Sequence, residues 1–318
     1  MAFNPIPNIN NIYRFTVPQI QHAIRNRHEL GRGGFGVVYR GTIRRHGERT
    51  RAAAFKMVLR GDYFRQEVNV LDIVRSRYVI NLLGVCEDLQ TIVIEYAQNR
   101  TLSYHLRRPD SMTTFPWCTR IKVLLGLCRA LTHVHVCGYI HRDVKSENVL
   151  LLNDFTPKLS DFGAAIMIDE EPHPIILSMG YTDPGYLNPD ETENVKFHLD
   201  IYSLGVVILE TLSGRPAFEI DRFGRAFRLD TWVRGLLPEE ILHEDFRDLE
   251  QAPDVMIAAL DGENTNIPEA LKDCVIIARR CLNPDVAQRP NFIQIRDVLL
   301  ACPRAANYAR WRNAVGNA

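Results

Sequence analysis

Apolar and polar residues follow two different spacings along this chain, and the spacing changes near residue 97. Before that point they alternate in short runs, a pattern typical of strands. Apolar residues within 64–74 recur at helical spacing and predict one main helix, and a short helix is expected within 15–27. The expected strands, around turns, cover 30–41, 52–59, 79–85 and 91–96.

The second part of the chain has the spacing of amphipathic helices. The run at 203–212 is apolar on nearly all sides and predicts a buried helix. Pro284 and Pro290 separate the last two helical runs, because proline interrupts helices. The predicted helices cover 121–135, 203–212, 271–282 and 292–300.

These patterns together predict an α+β fold with two lobes. The N-lobe, over 27–97, is small and β-rich with one main helix, and the C-lobe, over 98–303, is larger and α-helical. The short polar segment at 98–100 is expected to form the hinge between the lobes. Residues 1–26 are assigned to an N-terminal extension and 304–318 to a C-terminal tail.

Composition narrows the class of protein. The chain has 318 residues, 46% hydrophobic and 24% charged, the balance of a globular protein. Basic and acidic residues both number 38, which gives no support for a nucleic-acid or anionic-membrane partner. No apolar run reaches the roughly 20 residues of a membrane span, and no signal-peptide pattern begins the chain. Seven scattered cysteines without a CxxC pair favour free thiols. We therefore expect a cytoplasmic protein without an intrinsic membrane span.

Two polar strings beyond the first long helical run carry the strongest chemical signal. They read His-Arg-Asp-Val-Lys-Ser-Glu-Asn at 141–148 and Asp-Phe-Gly at 161–163. Asp143 could accept the proton of an attacking hydroxyl, and Asn148 and Asp161 could hold Mg²⁺ against a triphosphate. The structural alternative for Asp143 is a turn-capping aspartate, which the density of polar residues after a buried helix disfavours.

A glycine-rich string at 31–38 precedes these motifs. Glycines let the backbone approach phosphates closely and offer amide donors to them. A strand pattern rather than a helix follows, and the GK[ST] of a P-loop is missing, which separates the string from other nucleotide-binding fingerprints. An ordinary hairpin is the alternative. The candidate nucleotide contacts are Gly31, Arg32, Gly33, Gly34, Phe35, Gly36 and Val38, with Phe35 capping the phosphates and Val38 packing on adenine.

Lys56 lies inside an apolar strand pattern, two residues after Ala54. A lysine in such a setting is costly to bury unless it is paired. Glu67 lies on the next predicted helix, and an ion pair between the two would direct Lys56 toward the α- and β-phosphates of ATP. The alternatives are a solvent-facing lysine on an edge strand and a solvated helix glutamate.

Residues 27–303 resemble the eukaryotic protein kinases. More narrowly, they resemble the plant receptor-like kinases and their animal relatives, Pelle and the interleukin-receptor-associated kinases. The supporting strings are LGRGGFG at 30–36, LLGVCE at 82–87, DIYSLGVV at 200–207, CLNP at 281–284 and QRP at 288–290. With no room for an ectodomain or membrane span, the resemblance is to the receptor-like cytoplasmic subgroup. Asp200 would cap a helix or brace the catalytic loop.

The resemblance implies a two-lobed protein kinase fold and serine/threonine protein kinase activity. ATP and Mg²⁺ would be the cofactors, with Mn²⁺ as a substitute, and a protein substrate and an upstream receptor or adaptor would be the partners. Ile94 would be the gatekeeper, and Ala54, Glu95 and Ala97 would bind adenine. Lys145 would neutralise the γ-phosphate and is typical of Ser/Thr-directed members. The implied catalytic residues are Asp143, Lys145, Lys56 and Glu67, and the implied metal ligands are Asn148 and Asp161.

Two other functions stay open. A pseudokinase scaffold or adaptor would keep the fold and bind nucleotide or partners with little catalysis. A small-molecule kinase would share the fold, but the string at 281–290 and Lys145 disfavour it. Against a scaffold stands the retention of five catalytic positions, namely Lys56, Glu67, Asp143, Asn148 and Asp161.

Two departures from the family pattern concern the substrate-facing turn. Gly185 stands where a glutamate usually pairs with the arginine at 289, so Arg289 loses its expected partner unless another acid or water substitutes for it. Leu177-Ser178 replaces the usual Gly-Thr. Ser178 keeps a hydroxyl that would bridge Asp143 and Lys145.

A third departure concerns activation. Residues 164–177 contain no Ser, Thr or Tyr, so the usual phosphorylation upstream of Ser178 is excluded. The acidic residues at 169–171 could pair with Arg142 and order the loop without modification. A solvated acidic turn is the alternative.

Overall fold

A computed structural model describes residues 12–26, 28–44, 49–108, 111–169, 177–187, 198–242 and 267–302. They form a small lobe built on one sheet and a larger lobe built on helices, as the spacing of apolar residues predicts. In this part of the chain, no helix combines the length and hydropathy that crossing a membrane requires.

The small lobe is an antiparallel sheet with one main helix packed on it. Its elements are α1 (Val17–Ala23), β1 (His28–Gly33), β2 (Gly36–Ile43), β3 (Arg51–Val58), α2 (Gly61–Ile73), β4 (Leu82–Cys86) and β5 (Thr91–Glu95). The strand order is β1-β2-β3-β5-β4. Ile92 and Ile94 join the core that contains α2, whereas Val93 joins a second core on the opposite face, as the two-residue period of a strand requires.

The second core is closed by residues that precede the sheet in the chain. The backbone N–H of Phe15 donates to the Val85 carbonyl at 2.8 Å, and that of Val85 donates to the Tyr13 carbonyl at 2.9 Å. Phe15 and Ile20 are buried against the outer face of the sheet. A Cβ at Gly84 would lie 2.6 Å from the Phe15 ring, so glycine permits this close approach. Part of the predicted N-terminal extension thus packs into the small lobe.

The large lobe is organised around a helix that is buried on all sides. The elements of this lobe are α3 (Leu102–Leu106), α4 (Ser111–Thr114), α5 (Trp117–Val136), β6 (Tyr139–Ile140), β7 (Val149–Leu151), β8 (Pro157–Leu159), β9 (Ile166–Met167), α6 (Leu199–Ser213), β10 (Phe218–Ile220), β11 (Ala226–Arg228), α7 (Leu229–Trp232), α8 (Pro238–Ile241), α9 (Ile267–Cys281) and α10 (Phe292–Ala301). The central helix is α6. Every residue of α6 is buried, which explains its apolar sequence. It ends at Gly214, whose left-handed conformation is the usual helix C-cap.

The four predicted helices of this lobe are present as α5, α6, α9 and α10, each slightly longer than expected. The short elements were not predicted, because two to five residues cannot show a period. They nevertheless position the chemistry. The antiparallel pairs β6–β9 and β7–β8 flank the string at 141–148 and the Asp-Phe-Gly string at 161–163.

Backbone and side-chain contacts join the lobes behind the hinge. The N–H of Ile80 donates to the Leu159 carbonyl at 2.9 Å, and the N–H of Leu159 donates to the Tyr78 carbonyl at 2.8 Å. The buried Lys158 ammonium contacts the Glu95 carboxylate at 2.7 Å. Glu95 ends β5, so this ion pair ties the start of the hinge to β8.

Candidate active site

The loop that carries Asp143 is held in place from below by Asp200 at the start of α6. One carboxylate oxygen accepts the backbone N–H of His141 at 2.8 Å, and the other accepts that of Arg142 at 2.9 Å. His135 Nε2 lies 2.8 Å from Asp200 Oδ2. Burial alone would raise the pKa of Asp200, but its bonds to His135 and the loop outweigh burial and lower it. Of the two predicted roles, the structure assigns Asp200 that of bracing the loop.

Asp143 is the centre of a compact polar group. The Lys145 ammonium lies 2.7 Å from its Oδ2 and 2.9 Å from its Oδ1. Ser178 donates to Oδ1 at 2.5 Å and accepts from Lys145 at 3.1 Å, which confirms the predicted bridge. The Asn148 amide donates to the Asp143 carbonyl at 2.8 Å and to Oδ2 at 2.9 Å. Both oxygens of the Asp143 carboxylate are thereby held by hydrogen bonds, which fixes its orientation.

Lys56, Glu67 and Asp161 form a second group, drawn from β3, α2 and the segment between β8 and β9. The Lys56 ammonium, on β3, lies 2.5 Å from Glu67 Oε2 on α2, so the predicted ion pair is present. It also lies 2.7 Å from Asp161 Oδ1. Burial alone would lower the pKa of Lys56, but the two carboxylates outweigh it and raise that pKa. Burial would likewise raise the pKa of Asp161, and Lys56 outweighs it, so Asp161 stays ionised.

The glycine-rich string forms the β1–β2 turn. A Cβ at Gly31, Gly33 or Gly34 would meet no atom within 4 Å, so these residues leave their surface open to a ligand. Gly36 instead faces β3, where a Cβ would lie 2.1 Å from the Met57 carbonyl oxygen. The exposed Arg32 side chain is paired with Glu29 at 2.8 Å, which leaves its backbone for the predicted nucleotide contact.

The tip of this turn contacts α2. The Phe35 ring meets the Tyr63 ring edge-on with centroids 5.1 Å apart, and the Leu59 N–H donates to the Phe35 carbonyl at 3.1 Å. Tyr63 lies one helical turn before Glu67, on the same side of α2. A Cβ at Gly163 would lie 3.6 Å from Tyr63 and 3.7 Å from Glu67. Tyr63 therefore lies between the glycine-rich turn and the Asp-Phe-Gly string, a contact that sequence reasoning missed.

The predicted adenine contacts come together between β2, β3 and the hinge. Ala54 pairs with Ile94 across the sheet, and Val38 pairs with Lys56. The Glu95 carboxylate is engaged by Lys158 and by the Asn81 N–H at 2.9 Å, and the Glu95 N–H donates to the Asn81 carbonyl at 3.0 Å, so neither group is available to a ligand. The Lys158 contact was missed, although a lysine between Pro157 and Leu159 is the same signal as Lys56 in its apolar strand.

Another acid substitutes for the missing partner of Arg289, which is the alternative that the sequence left open. Its guanidinium pairs with Asp183 at 2.5 Å, and both side chains are almost fully buried. The Arg289 Nε donates to the Asn283 carbonyl at 2.8 Å. The N–H of Gly185 donates to Asp183 Oδ1 at 2.9 Å. Asp183, two residues earlier than the expected glutamate, thus supplies the missing carboxylate.

A chain of buried polar groups supports the turn at 178–181. Tyr181 donates to Glu210 Oε2 at 2.7 Å, and its oxygen lies 3.0 Å from the Ser146 hydroxyl. Burial raises the pKa of Glu210 to about 7. The tyrosine therefore links the turn at 178–181 both to the loop that carries Asp143 and to α6.

The hypothesis of an acidic substitute for phosphorylation lies largely outside the described residues, since these end at Asp169 in this loop. Arg142 donates to the Tyr186 hydroxyl at 2.9 Å. Pairing of Arg142 with the acidic residues stays a prediction.

Asn148 and Asp161 suit a divalent cation by their chemistry. They offer an amide oxygen and a carboxylate, the hard oxygen ligands that Mg²⁺ prefers. Because the Asn148 amide nitrogen donates to Asp143, its side-chain oxygen is the atom left for a cation. Across the described ranges, no group of three or more His, Cys, Asp or Glu residues forms a separate metal cluster.

Comparisons with known proteins agree with this geometry. A family model described as protein kinase domain matches residues 24–299. The proline-rich receptor-like protein kinase PERK8 of Arabidopsis thaliana is 31% identical over 291 residues, covering 87% of this chain and 41% of PERK8. The probable serine/threonine-protein kinase PBL28 of the same plant is 30% identical over 296 residues, covering 88% of this chain and 76% of PBL28.

An EPD1-interacting receptor-like cytoplasmic serine/threonine-protein kinase of Nicotiana benthamiana is 31% identical over 306 residues, covering 90% of this chain and 63% of that protein. Several relatives are much longer than this sequence. The chain spans 41% of PERK8 and 34% of a probable LRR receptor-like kinase of Arabidopsis thaliana.

Proposed function

Because the chain belongs to the protein kinase family, we propose that it transfers the γ-phosphate of ATP to serine or threonine hydroxyls of a protein substrate. The observation that carries this proposal is the pair of polar groups centred on Lys56 and Asp143. Five of their members are residues that a bare scaffold has no physical need to keep, and in each group they lie within hydrogen-bond distance of its central residue. These are Lys56, Glu67 and Asp161 in one, and Asp143 and Asn148 in the other.

ATP binds between the lobes in this proposal. Val38, Ala54 and the main chain of Glu95 and Ala97 contact adenine, and the glycine-rich turn with Lys56 holds the phosphates. Glu67 positions Lys56 by the 2.5 Å ion pair. Asn148 and Asp161 hold a divalent cation, which we propose is Mg²⁺ and which neutralises phosphate charge when bound.

Asp143 accepts the proton of the substrate hydroxyl. The hydroxyl oxygen forms a bond to the γ-phosphorus, and the bond from that phosphorus to the β–γ bridging oxygen breaks, releasing ADP. Lys145, 2.7 Å from Asp143, neutralises charge on the transferring phosphoryl group. Serine or threonine specificity is supported by Lys145 and by the printed names of PBL28 and the Nicotiana benthamiana kinase.

The scaffold alternative loses part of its support. It rested on Gly185 and on a loop without a phosphorylation site, and Asp183 supplies to Arg289 the carboxylate that Gly185 lacks. The name of the Nicotiana benthamiana relative further supports the proposals that this chain acts in the cytoplasm and responds to an upstream receptor or adaptor.

An in-vitro transfer assay tests the proposed activity. Purified protein is mixed with Mg²⁺, labelled ATP and a generic basic protein substrate, beside Asp143→Asn. We expect transfer to fall about 100-fold or more in the variant, because a positioned general base contributes that much. The rise of melting temperature with ATP should persist in both proteins. Phosphoserine or phosphothreonine should be the product.

Equal transfer by the wild type and by Asp143→Asn would overturn the assignment of Asp143. Absence of transfer by the wild type, with ATP still raising its melting temperature, would favour the scaffold. Phosphotyrosine as the product would overturn the substrate class.

A further inference from the structure

Two cysteines of the large lobe have their sulfur atoms in contact, and neither belongs to the site described above. Cys274 lies in α9, and Cys302 directly follows α10. Their Sγ atoms are 3.4 Å apart, and both side chains are buried. A disulfide bond measures about 2.0 Å, so an approach of about 1.4 Å would join the two helices covalently.

We propose that Cys274 and Cys302 form an oxidation site, at which a peroxide converts the two thiols into an intramolecular disulfide. One sulfur attacks an oxygen of hydrogen peroxide, breaks the O–O bond and becomes a sulfenic acid, with release of one water. The second sulfur attacks the sulfenic sulfur, forms the S–S bond and releases a second water. The two thiols lose two protons and two electrons, which together reduce one peroxide to two waters.

The positions of the two residues assign the order of attack. Cys274 lies in the interior of α9, and its hydrogen bond with Cys302 and its burial hold the pKa of its thiol well above the usual value. Cys302 lies at the end of α10, where the terminal turn of a helix opens at a lower free-energy cost than the interior. Peroxide therefore reaches Cys302 first, and Cys274 resolves the sulfenic acid.

The other cysteines have different partners and serve as internal controls. The thiol of Cys128 donates to the Phe292 carbonyl at 3.4 Å, and that of Cys281 donates to the Ile277 carbonyl at 3.2 Å. Cys137 is only half-buried and lies 3.6 Å from His133 Nε2. All seven cysteines fall in described ranges, and Cys137 is the most exposed of them. A non-selective oxidant would therefore modify Cys137 first.

The bond would stabilise the fold without entering the active site. It would close a loop between residues 28 positions apart in the chain, which restricts the unfolded ensemble. For such a loop in a chain of this size we expect the melting temperature to rise by about 5 °C. Formation of this disulfide involves no phosphotransfer, so the proposal stands independently of the proposed function.

The test treats the full chain, while folded, with a small excess of hydrogen peroxide and compares it with Cys302→Ser, Cys274→Ser and Cys137→Ser. The wild type should lose the mass of two hydrogens and yield one linked peptide containing Cys274 and Cys302. Dithiothreitol should reverse both changes. Cys137→Ser should behave as the wild type does. Cys302→Ser should show no such loss, and Cys274→Ser should stop at a sulfenic acid on residue 302 that dimedone traps.

Linked-peptide mapping of the wild type needs no variant and keeps the test decisive if a buried serine prevents folding. Absence of the Cys274–Cys302 peptide after oxidation would overturn the proposal, as would added oxygen confined to Cys137. Persistence of the two-hydrogen loss in Cys302→Ser would also overturn it.

Discussion

Asp183 binds the guanidinium of Arg289 across 106 residues of sequence, in the place that the family pattern gives to a glutamate at position 185. Moving the carboxylate by two positions preserves a buried ion pair. The Gly185 N–H donates to the other oxygen of the same carboxylate, so the residue that replaces the usual glutamate helps to hold Asp183 through its backbone. The turn that contains Asp183 and Gly185 therefore remains anchored to the segment that precedes α10.

Removal of this carboxylate should destabilise the protein strongly. We expect Asp183→Ala to lower the free energy of unfolding by about 3–5 kcal/mol, because it leaves the buried Arg289 charge uncompensated. Denaturant titration measures the change. The double variant Asp183→Ala/Gly185→Glu should recover part of the loss by restoring a carboxylate at the position usual in the family. A change below about 1 kcal/mol in the single variant would mean that another group holds Arg289.

Replacement of Tyr63 should weaken ATP binding more than the chemical step. The edge-on contact with Phe35 holds the tip of the glycine-rich turn, and aromatic pairs of this kind contribute about 0.5–1.5 kcal/mol. Tyr63→Ala should therefore raise the KM for ATP about 3- to 10-fold with little change in kcat. Tyr63→Phe keeps the ring and should match the wild type. An unchanged KM in Tyr63→Ala would show that the turn is held by its other contacts.

Truncation of Phe15 should show that the segment before β1 is part of the folded unit. The ring is buried against Gly84 and the outer core of the sheet. Phe15→Ala should lower the free energy of unfolding by about 3 kcal/mol, the usual cost of deleting a buried aromatic ring. Gln21→Ala, at an exposed position of α1, should change it by less than about 0.5 kcal/mol. Similar values for both variants would contradict the packing of this segment.

Protonation of Glu210 should make stability depend on pH. Its pKa is about 7 in the folded protein, against an ordinary value of 4.5, so the folded state holds the proton more tightly. Its contribution is fully present below pH 4.5 and is lost as pH rises through about 7. The unfolding free energy of the wild type relative to Glu210→Gln should therefore fall by about 3 kcal/mol across this window and then level off. A constant difference from pH 4 to about 8 would contradict the raised pKa.

Periodicity and short motifs predicted the elements that are decided locally. The helical spacing of apolar residues in α5 repeats over several turns and predicts the helix. The alternation in β5 assigns each residue to one face of the sheet. The pairing of Lys56 with Glu67 was also predictable, because a lysine in an apolar strand needs a carboxylate and the adjacent helix offers one. The brace at Asp200 and the bridge at Ser178 followed from the family pattern.

Contacts between distant positions were decided by the tertiary structure. Asp183, rather than a residue at 185, meets Arg289 because of the path of the turn, which no spacing in the sequence reveals. Lys158 reaches Glu95, and Cys302 reaches Cys274, only once helices and strands have taken their relative positions. Sequence thus determined which face each element buries and which chemical groups are available. The folded backbone decided which of several chemically equivalent groups meet, because a few ångströms of path separate a bonded pair from two solvated side chains.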